Sequence, residues 1–296
     1  MSEGGGMAEG LRGCLVGLAT LALAACASAP SPPQPEDVAA LPPWRGRLVA
    51  TALAEWRDWG GIVLDGWPEA LPREADPRLY DKVLLYWNAV PLDGPGVIRR
   101  HQQVHDALVA GLMQASAPAF PGAAAYALEA VPAEAAPPML PSISLWAYPA
   151  WSAAFISHLM SMAGVPGFVF PPSGSHAGYL DPLLIQAGAA PERAAFVPHD
   201  PGHYAPRAGD LLCADRSASP LLHWQERLGE LGQFRPLHCD LVVAAGAGQI
   251  QAVGGNVIDV VALRRFPADR SGLVLPAPPD KAPFLVVLEN RLDLSP

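Results

Sequence analysis

The chain has 296 residues, a length typical of one or two domains. Hydrophobic residues make up 51% of it and charged residues only 16%, so it can bury a sizeable core. The 34 prolines favour short elements and many turns over long helices. The formal net charge is −9 and Lys and Arg form no cluster, which argues against a nucleic-acid partner.

The first segment has the pattern of an export signal. An apolar run over residues 13–25 precedes Cys26 and is too short to span a hydrocarbon core about 30 Å thick, but it suits a signal peptide. The run ends Leu-Ala-Ala-Cys, which resembles a bacterial lipobox. That resemblance implies removal of residues 1–25, lipidation of Cys26 and anchoring at the periplasmic face of the outer membrane. A cleaved signal without lipid is the alternative.

Residues 26–43 are rich in Pro and Ala and predict an extended, solvated tether. The folded domain then covers residues 44–296. Helical periodicity predicts helices over Trp44–Trp59, Arg78–Asn88 and Val97–Met113. A Pro- and Ala-rich insertion follows around residues 115–143.

Histidines give little reason to expect a metal. His101 and His105 lie four residues apart on the third predicted helix, but no third ligand accompanies them, so a solvated helix surface is the better interpretation. His199 and His203 flank a Pro-Gly turn and are interpreted as surface loop residues. We therefore predict no metal and no other cofactor.

The second half of the chain predicts one more helix and several strands. The helix covers residues 152–162, and a turn-rich stretch over 165–179 follows it. Strands are expected at 209–214, 238–245, 249–253, 257–263 and 284–288, with a long connection over 216–236. Helices followed by an antiparallel meander predict an α+β fold, with the N-terminal helices packed on a small antiparallel sheet.

Two cysteines remain in the predicted domain. Cys213 and Cys239 lie on two apparently neighbouring strands, and an exported compartment permits a disulfide between them. Two buried free thiols are the alternative.

Ser152 is the candidate nucleophile because it stands at the start of an amphipathic helix. Free N–H groups and the helix dipole favour developing negative charge there. The alternative is an ordinary N-cap, since Ser is a preferred residue at helix starts.

His238 and Asn256 are the candidate partners of Ser152. Period two places His238 and Asp240 on one face of a strand and Cys239 on the other. In a Cys-His-Asn arrangement, the Asn orients the imidazole that takes the proton of the nucleophile. A structural histidine and a turn asparagine are the alternatives. The order of Ser152, His238 and Asn256 along the chain strengthens the catalytic interpretation.

These segments resemble CHAP domains, the cysteine, histidine-dependent amidohydrolases/peptidases, which are related to NlpC-type papain-like enzymes. Residues 151–157 resemble their nucleophile helix, where Cys occupies the position of Ser152. Residues 206–212 look like their first core strand, 238–243 match the catalytic-histidine strand, and 253–257 match a Glu-Gly-Asn segment.

The chain is similar more closely to the domain of unknown function 2272, an uncharacterised bacterial family, from about Trp44 to about Val274. The motifs that carry this similarity are residues 55–60, 86–87, 151–157, 175–179, 209–211, 238–240 and 254–256. The resemblance implies a papain-like, CHAP-like fold and a cleft that also receives His176 and Tyr179. Ordinary loop positions are the alternative for those two residues.

Two departures from the CHAP pattern bear on function. Ser152 replaces the cysteine and Gly254 replaces the acidic residue, although Asp240 could compensate on the face of His238. One hypothesis is a peptidoglycan amidase or endopeptidase using Ser152, His238 and Asn256. The other is a catalytically degenerate module that binds wall peptides or an envelope partner protein. A purely structural role in the envelope is a third.

Overall fold

Six α-helices, one 3-10 helix and seven strands form within the part of the chain that the computed structural model describes, namely residues 31–68, 80–116 and 149–294. The helices are α1 (Pro35–Ala39), α2 (Pro43–Asp58), α3 (Tyr80–Asn88), α4 (Gly94–Ser116), α5 (Ser152–Met162) and α6 (His176–Ala189). The 3-10 helix is Trp224–Glu230. The strands are β1 (Val63–Asp65), β2 (Phe196–His199), β3 (Leu211–Asp215), β4 (Leu237–Gly246), β5 (Gln249–Val257), β6 (Val260–Pro267) and β7 (Phe284–Asn290).

The helices predicted from periodicity are confirmed to within a few residues at α2, α3, α4 and α5. In α2, Leu48, Ala52 and Trp56 recur at helical spacing, and all three side chains are buried. In α5, residues 152–160 are all buried, so this helix is enclosed on every side and lies inside the core.

The sheet differs from the predicted one in size and pairing. Its strand order is β1-β6-β5-β4-β3-β7-β2, and β1 pairs with β6 in parallel while the other pairs are antiparallel. The α+β class is confirmed, but the small antiparallel sheet was wrong, because the sheet is mixed and has seven strands. The short strand β1 lacks the length that a periodicity argument needs.

The 3-10 helix Trp224–Glu230 forms inside the stretch predicted as a long connection, and helix α6 and strand β2 were not predicted either. Helix α6 begins inside the stretch interpreted as turn-rich, where Ser175 caps it by accepting from the N–H of Gly178, and it continues through Pro182. Strand β2 contains Pro198 and lies at the edge of the sheet, which is where a strand tolerates proline. Pro182 and Pro198 hid α6 and β2, since proline ordinarily signals a break.

The sheet carries a core on each face. The larger core joins the helices to one face, where Cys239, Leu241 and Val243 of β4 point inward. The smaller core includes Val242, the neighbour of opposite orientation in β4, together with Phe266. The alternation predicted for β4 is therefore present.

A buried ion pair ties α2 to the sheet. Nη1 of Arg45 lies 2.8 Å from Oδ1 of Asp210, and the guanidinium also donates to the carbonyls of Ala208 and Asn290. Asp210 accepts in addition from the backbone N–H groups of Asn290 and Arg207, at 2.9 and 2.8 Å. Each of the two charges thus has several hydrogen-bond partners where α2 meets the sheet.

Several predictions concern residues outside the described segments or at their ends. The signal over residues 1–25, the lipidation of Cys26 and nearly all of the 115–143 insertion lie outside the described residues. In the predicted tether, residues 35–39 form the short helix α1, so this stretch is not extended throughout. In the described ranges, no helix combines the length and the apolar character that crossing a membrane requires.

Candidate active site

Ser152 is the first residue of α5 and follows the N-cap residue Trp151. Its hydroxyl does not cap the helix. Instead, Oγ lies 2.7 Å from Nε2 of His176, and the Ser152 residue is 6% exposed. The N-cap alternative is therefore not what the structure shows, and the partner of Ser152 is a histidine other than the predicted one.

His176 is held from its other side by Tyr179, one turn further along α6. Nδ1 of His176 lies 2.5 Å from the phenol oxygen of Tyr179, and both side chains are buried. Burial, reinforced by nearby His238, lowers the pKa of His176 well below its usual value of 6.5. Burial also raises the pKa of Tyr179, with Asp240 adding to the effect. Both groups are therefore neutral at pH 7.

His238 lies in a second, charged arrangement at the start of β4. Its Nε2 is 3.0 Å from Oδ1 of Asp240, whose other oxygen is 2.9 Å from Nη1 of Arg264. Burial alone would raise the pKa of Asp240, but Arg264 and His238 together lower it to about 2. The Asp240 carboxylate is thus ionised and can stabilise a positive charge on the His238 imidazole.

The two histidines belong to one cluster. The ring centroids of His176 and His238 are 5.5 Å apart. Nδ1 of His238 is buried and finds no hydrogen-bond partner among the described residues. A buried imidazole nitrogen without a partner costs free energy, so its position is a candidate for a function.

Gly254 explains how Asp240 fits beside His238. A Cβ at position 254 would lie 1.8 Å from Oδ1 of Asp240. Any side chain there would displace a carboxylate that His238 and Arg264 fix from both sides. The absence of a side chain at Gly254 and the presence of Asp240 are therefore one structural feature.

Asn256 has a different role from the one predicted. In the amide orientation that satisfies both of its ends, its nitrogen donates to Asp259 over 3.1 Å and its oxygen accepts from the N–H of Trp151 over 3.3 Å. Its φ of 55° is the left-handed conformation that Asn tolerates better than most residues. The described contacts thus link Asn256 to the start of α5 and not to the His238 ring.

A cavity of about 260 Å³ opens beside this cluster. His238, Asn256 and Arg264 lie in its wall, together with cationic and apolar side chains. Ser152 and His176 are not among the described residues that line it. Of the two clustered histidines, His238 lines the cavity, whereas His176 contacts the buried serine.

The strand that carries His238 is covalently joined to its neighbour. Cys213 of β3 and Cys239 of β4 face each other in register and form a disulfide whose Cα atoms are 4.0 Å apart. The structure therefore has the bonded form and not the two free thiols. The bond places a covalent link immediately after His238.

A polar network that the sequence did not predict contacts Trp151 through the ring of Trp59. Glu55 accepts from the hydroxyl of Tyr86 over 2.6 Å, and that hydroxyl accepts from Nε1 of Trp59 over 2.7 Å. Trp59 stacks on Trp151 with ring centroids 5.3 Å apart. Burial would raise the pKa of Glu55, but hydrogen bonds from His158 and Tyr86 and the charge of Lys82 lower it to about 2. The sequence signal for this network was the presence of aromatic residues close to Glu55.

Other histidines depart from their predicted surroundings. His101 is only 4% exposed, so the solvated position was wrong for it, and the side chain of His105 lies outside those described. His199 belongs to strand β2, where its Nε2 lies 2.9 Å from Glu289 and its ring stacks on Tyr204. Within the described ranges, no group of His, Cys, Asp and Glu is arranged to hold a metal ion.

Comparison with known proteins places the chain in a family. The model of the family described as "Uncharacterized protein conserved in bacteria (DUF2272)" matches residues 74–289, most of the chain, which therefore belongs to this family. The matched segment includes Ser152, His176, His238 and Asn256 but not the motif at residues 55–60. No curated protein and no solved structure matches the chain.

Proposed function

We propose that this member of the DUF2272 family is an exported lipoprotein with a papain-like domain that hydrolyses amide bonds of peptidoglycan peptides. One observation carries the proposal: a helix-start hydroxyl, Ser152 Oγ, lies 2.7 Å from Nε2 of His176, beside a second imidazole held by an ionised Asp240. A nucleophile, a base and a group that orients the base are the parts that acyl transfer requires. The predicted export signal supplies the location in the envelope.

The start of α5 supports negative charge where the reaction would generate it. The first N–H groups of a helix have no partner within the helix, and they lie at the positive end of its dipole. Since Ser152 is the first residue of α5, the substrate oxyanion that forms when its Oγ attacks a carbonyl carbon would lie close to these donors.

We assign the general base to His238 and the positioning of Ser152 to His176. The low pKa of His176 and its neutral partner Tyr179 make a protonated His176 unfavourable. His238 has the ionised Asp240 on Nε2 and leaves Nδ1 unpartnered among the described residues. With Tyr179 donating to Nδ1 of His176, Nε2–H of His176 donates to Ser152 Oγ and leaves the serine proton for His238.

Hydrolysis would proceed through a covalent ester of Ser152. Ser152 Oγ bonds to the carbonyl carbon while its proton passes through a bridging water to Nδ1 of His238, which the Ser152 hydroxyl does not contact directly. Collapse of the tetrahedral intermediate breaks the C–N bond, and His238 returns the proton to the leaving amine. Water attacks the resulting ester in the same way, which releases the acid and restores the Ser152 hydroxyl.

The two departures from the CHAP pattern are compatible with retained chemistry. A serine in place of cysteine needs a base at the moment of attack, and His238 backed by Asp240 meets that need. The acid missing at Gly254 has a counterpart in Asp240, whose carboxylate lies where a side chain at 254 would begin.

The test is digestion of purified sacculi by the full chain, with chromatography of the released peptides. We expect Ser152→Ala to reduce product release at least a hundredfold. We expect Ser152→Cys to retain activity and to become sensitive to iodoacetamide, because the thiol would lie beside two imidazoles. Ser161→Ala, an exposed position on the same helix, is the matched control and should behave as the wild type.

Equal activity of Ser152→Ala and the wild type would refute the proposed nucleophile. Absence of products from both would favour a second candidate function, a module that binds wall peptides without cleaving them. The observation favouring that candidate is that Ser152 is 6% exposed and is not among the described residues lining the cavity. Muropeptide binding that survives Ser152→Ala without turnover would identify it.

A further inference from the structure

The cavity beside His238 combines cationic side chains with apolar walls. Arg216, at the end of β3, and Lys281, in the segment before β7, both line it. Trp67 and Phe284 are the aromatic residues among its apolar lining. Such a site, apolar with a few convergent polar groups, is typical for a small organic ligand.

The charges of this cavity do not cancel. Arg264 is neutralised by Asp240 at 2.9 Å, and Lys281 lies 3.1 Å from the exposed Asp280. Arg216 is exposed, and its guanidinium makes no ion pair within the described ranges. The charge of Arg216 also lowers the pKa of His176, although burial and His238 lower that pKa more. One positive charge near the histidine cluster therefore remains uncompensated.

A second, independent observation indicates that a ligand belongs here. His238 lines the same cavity, is 6% exposed, and has an Nδ1 atom without a hydrogen-bond partner among the described residues. A ligand that enters the cavity would therefore contact both the side chain of His238 and Arg216. Such an arrangement suits a molecule that carries an anionic group near a reactive carbonyl.

We propose that this cavity binds a free carboxylate of the substrate peptide through Arg216, with Lys281 in support, and so directs the neighbouring amide bond towards His238. The inference rests on the proposed function and adds the substrate class, an oligopeptide with a free carboxylate near the scissile bond. The planar guanidinium of Arg216 can bind both carboxylate oxygens, whereas Lys281 provides a point charge already shared with Asp280.

The experiment measures binding separately from turnover. Soluble muropeptides are prepared with their carboxylates either free or converted to methylamides, and their affinity for the full-length Ser152→Ala chain is measured by calorimetry. We expect the free form to bind about tenfold tighter, as for a charge-assisted hydrogen bond of about 1.4 kcal/mol or more. Adding Arg216→Gln should remove this difference, and adding Lys281→Gln should reduce it about threefold.

Arg270→Gln is the matched control. Arg270 is an exposed arginine that follows Asp269, whose carbonyl accepts from the N–H of Gly248 in the turn after β4, at the opposite end of β4 from His238. It should leave both affinities unchanged. Equal binding of the two preparations, absence of binding, or an unaltered preference in the Arg216→Gln chain would overturn the carboxylate site. Carboxylate preference without hydrolysis by the wild-type chain would support the site and contradict the hydrolase instead.

Discussion

Two buried Arg–Asp pairs that contact the same sheet have different surroundings. Arg45 and Asp210 join α2 to the sheet, and carbonyl and N–H groups of the backbone complete their hydrogen bonds. Arg264 and Asp240 instead hold the ring of His238, and the chain of contacts ends at an unpartnered Nδ1 among the described residues.

The difference separates a structural pair from one that supports chemistry. A buried ion pair stabilises a fold only when its remaining donors and acceptors are satisfied, and the Arg45 pair meets that condition. The Asp240 pair leaves one polar atom unsatisfied, which is a stability cost that selection for folding alone would remove. Substitution should therefore affect the free energy of unfolding at the first pair and catalysis at the second.

The largest effect is expected at the Arg45 pair. Arg45→Ala should lower the free energy of unfolding by about 3–5 kcal/mol in urea denaturation, because the buried Asp210 would lose its cationic partner. Arg265→Ala removes a surface pair with Asp65 and should cost less than about 1 kcal/mol. Similar losses in the two variants would contradict the structural role assigned to Arg45.

A smaller effect, on turnover, is expected at the second pair. Asp240→Asn should reduce peptide release by the folded protein about a hundredfold, or about 2.7 kcal/mol, since a neutral amide stabilises a protonated His238 poorly. Activity is divided by the folded fraction from circular dichroism, and Asp65→Asn serves as a surface control. Wild-type turnover in Asp240→Asn would show that His238 needs no carboxylate.

The smallest effect concerns the pH dependence of stability. The pKa of His176 is lowered by burial and by His238, so below about pH 6.5 the unfolded chain binds a proton that the folded chain does not. The free energy of unfolding should therefore fall with decreasing pH, by at most about 1.4 kcal/mol per pH unit from this group. His176→Gln should flatten the slope, whereas His223→Gln, at an exposed position, should leave it intact. An unchanged slope in His176→Gln would mean that this residue is protonated in the folded state.

The sequence was informative where elements are long and periodic. Helices α2 to α5 and strands β4 to β6 follow from hydrophobic spacing, and the face shared by His238 and Asp240 followed from period two. Strands β1 and β2 are too short for such an argument, and Pro182 concealed helix α6.

The site was predictable only in part, because contacts across the fold depend on geometry that no local pattern contains. The structure brings Ser152 and His238 together through His176, for which the sequence predicts only a place in the cleft. The orienting role given to Asn256 was wrong, because its amide contacts Trp151 and Asp259 while Asp240 holds His238. The sequence signal for Asp240 was its position two residues after His238, which places both side chains on one face of the strand.

The space at Gly254 links two positions that lie fourteen residues apart in the sequence, Asp240 and Gly254. Because one carboxylate fills the volume that either position could use, an acid at 254 and an acid at 240 exclude each other in this fold. A relative that carries the acid at position 254 must therefore differ from this chain at both positions. Either single change would leave the imidazole without its anion or force two side chains into one volume.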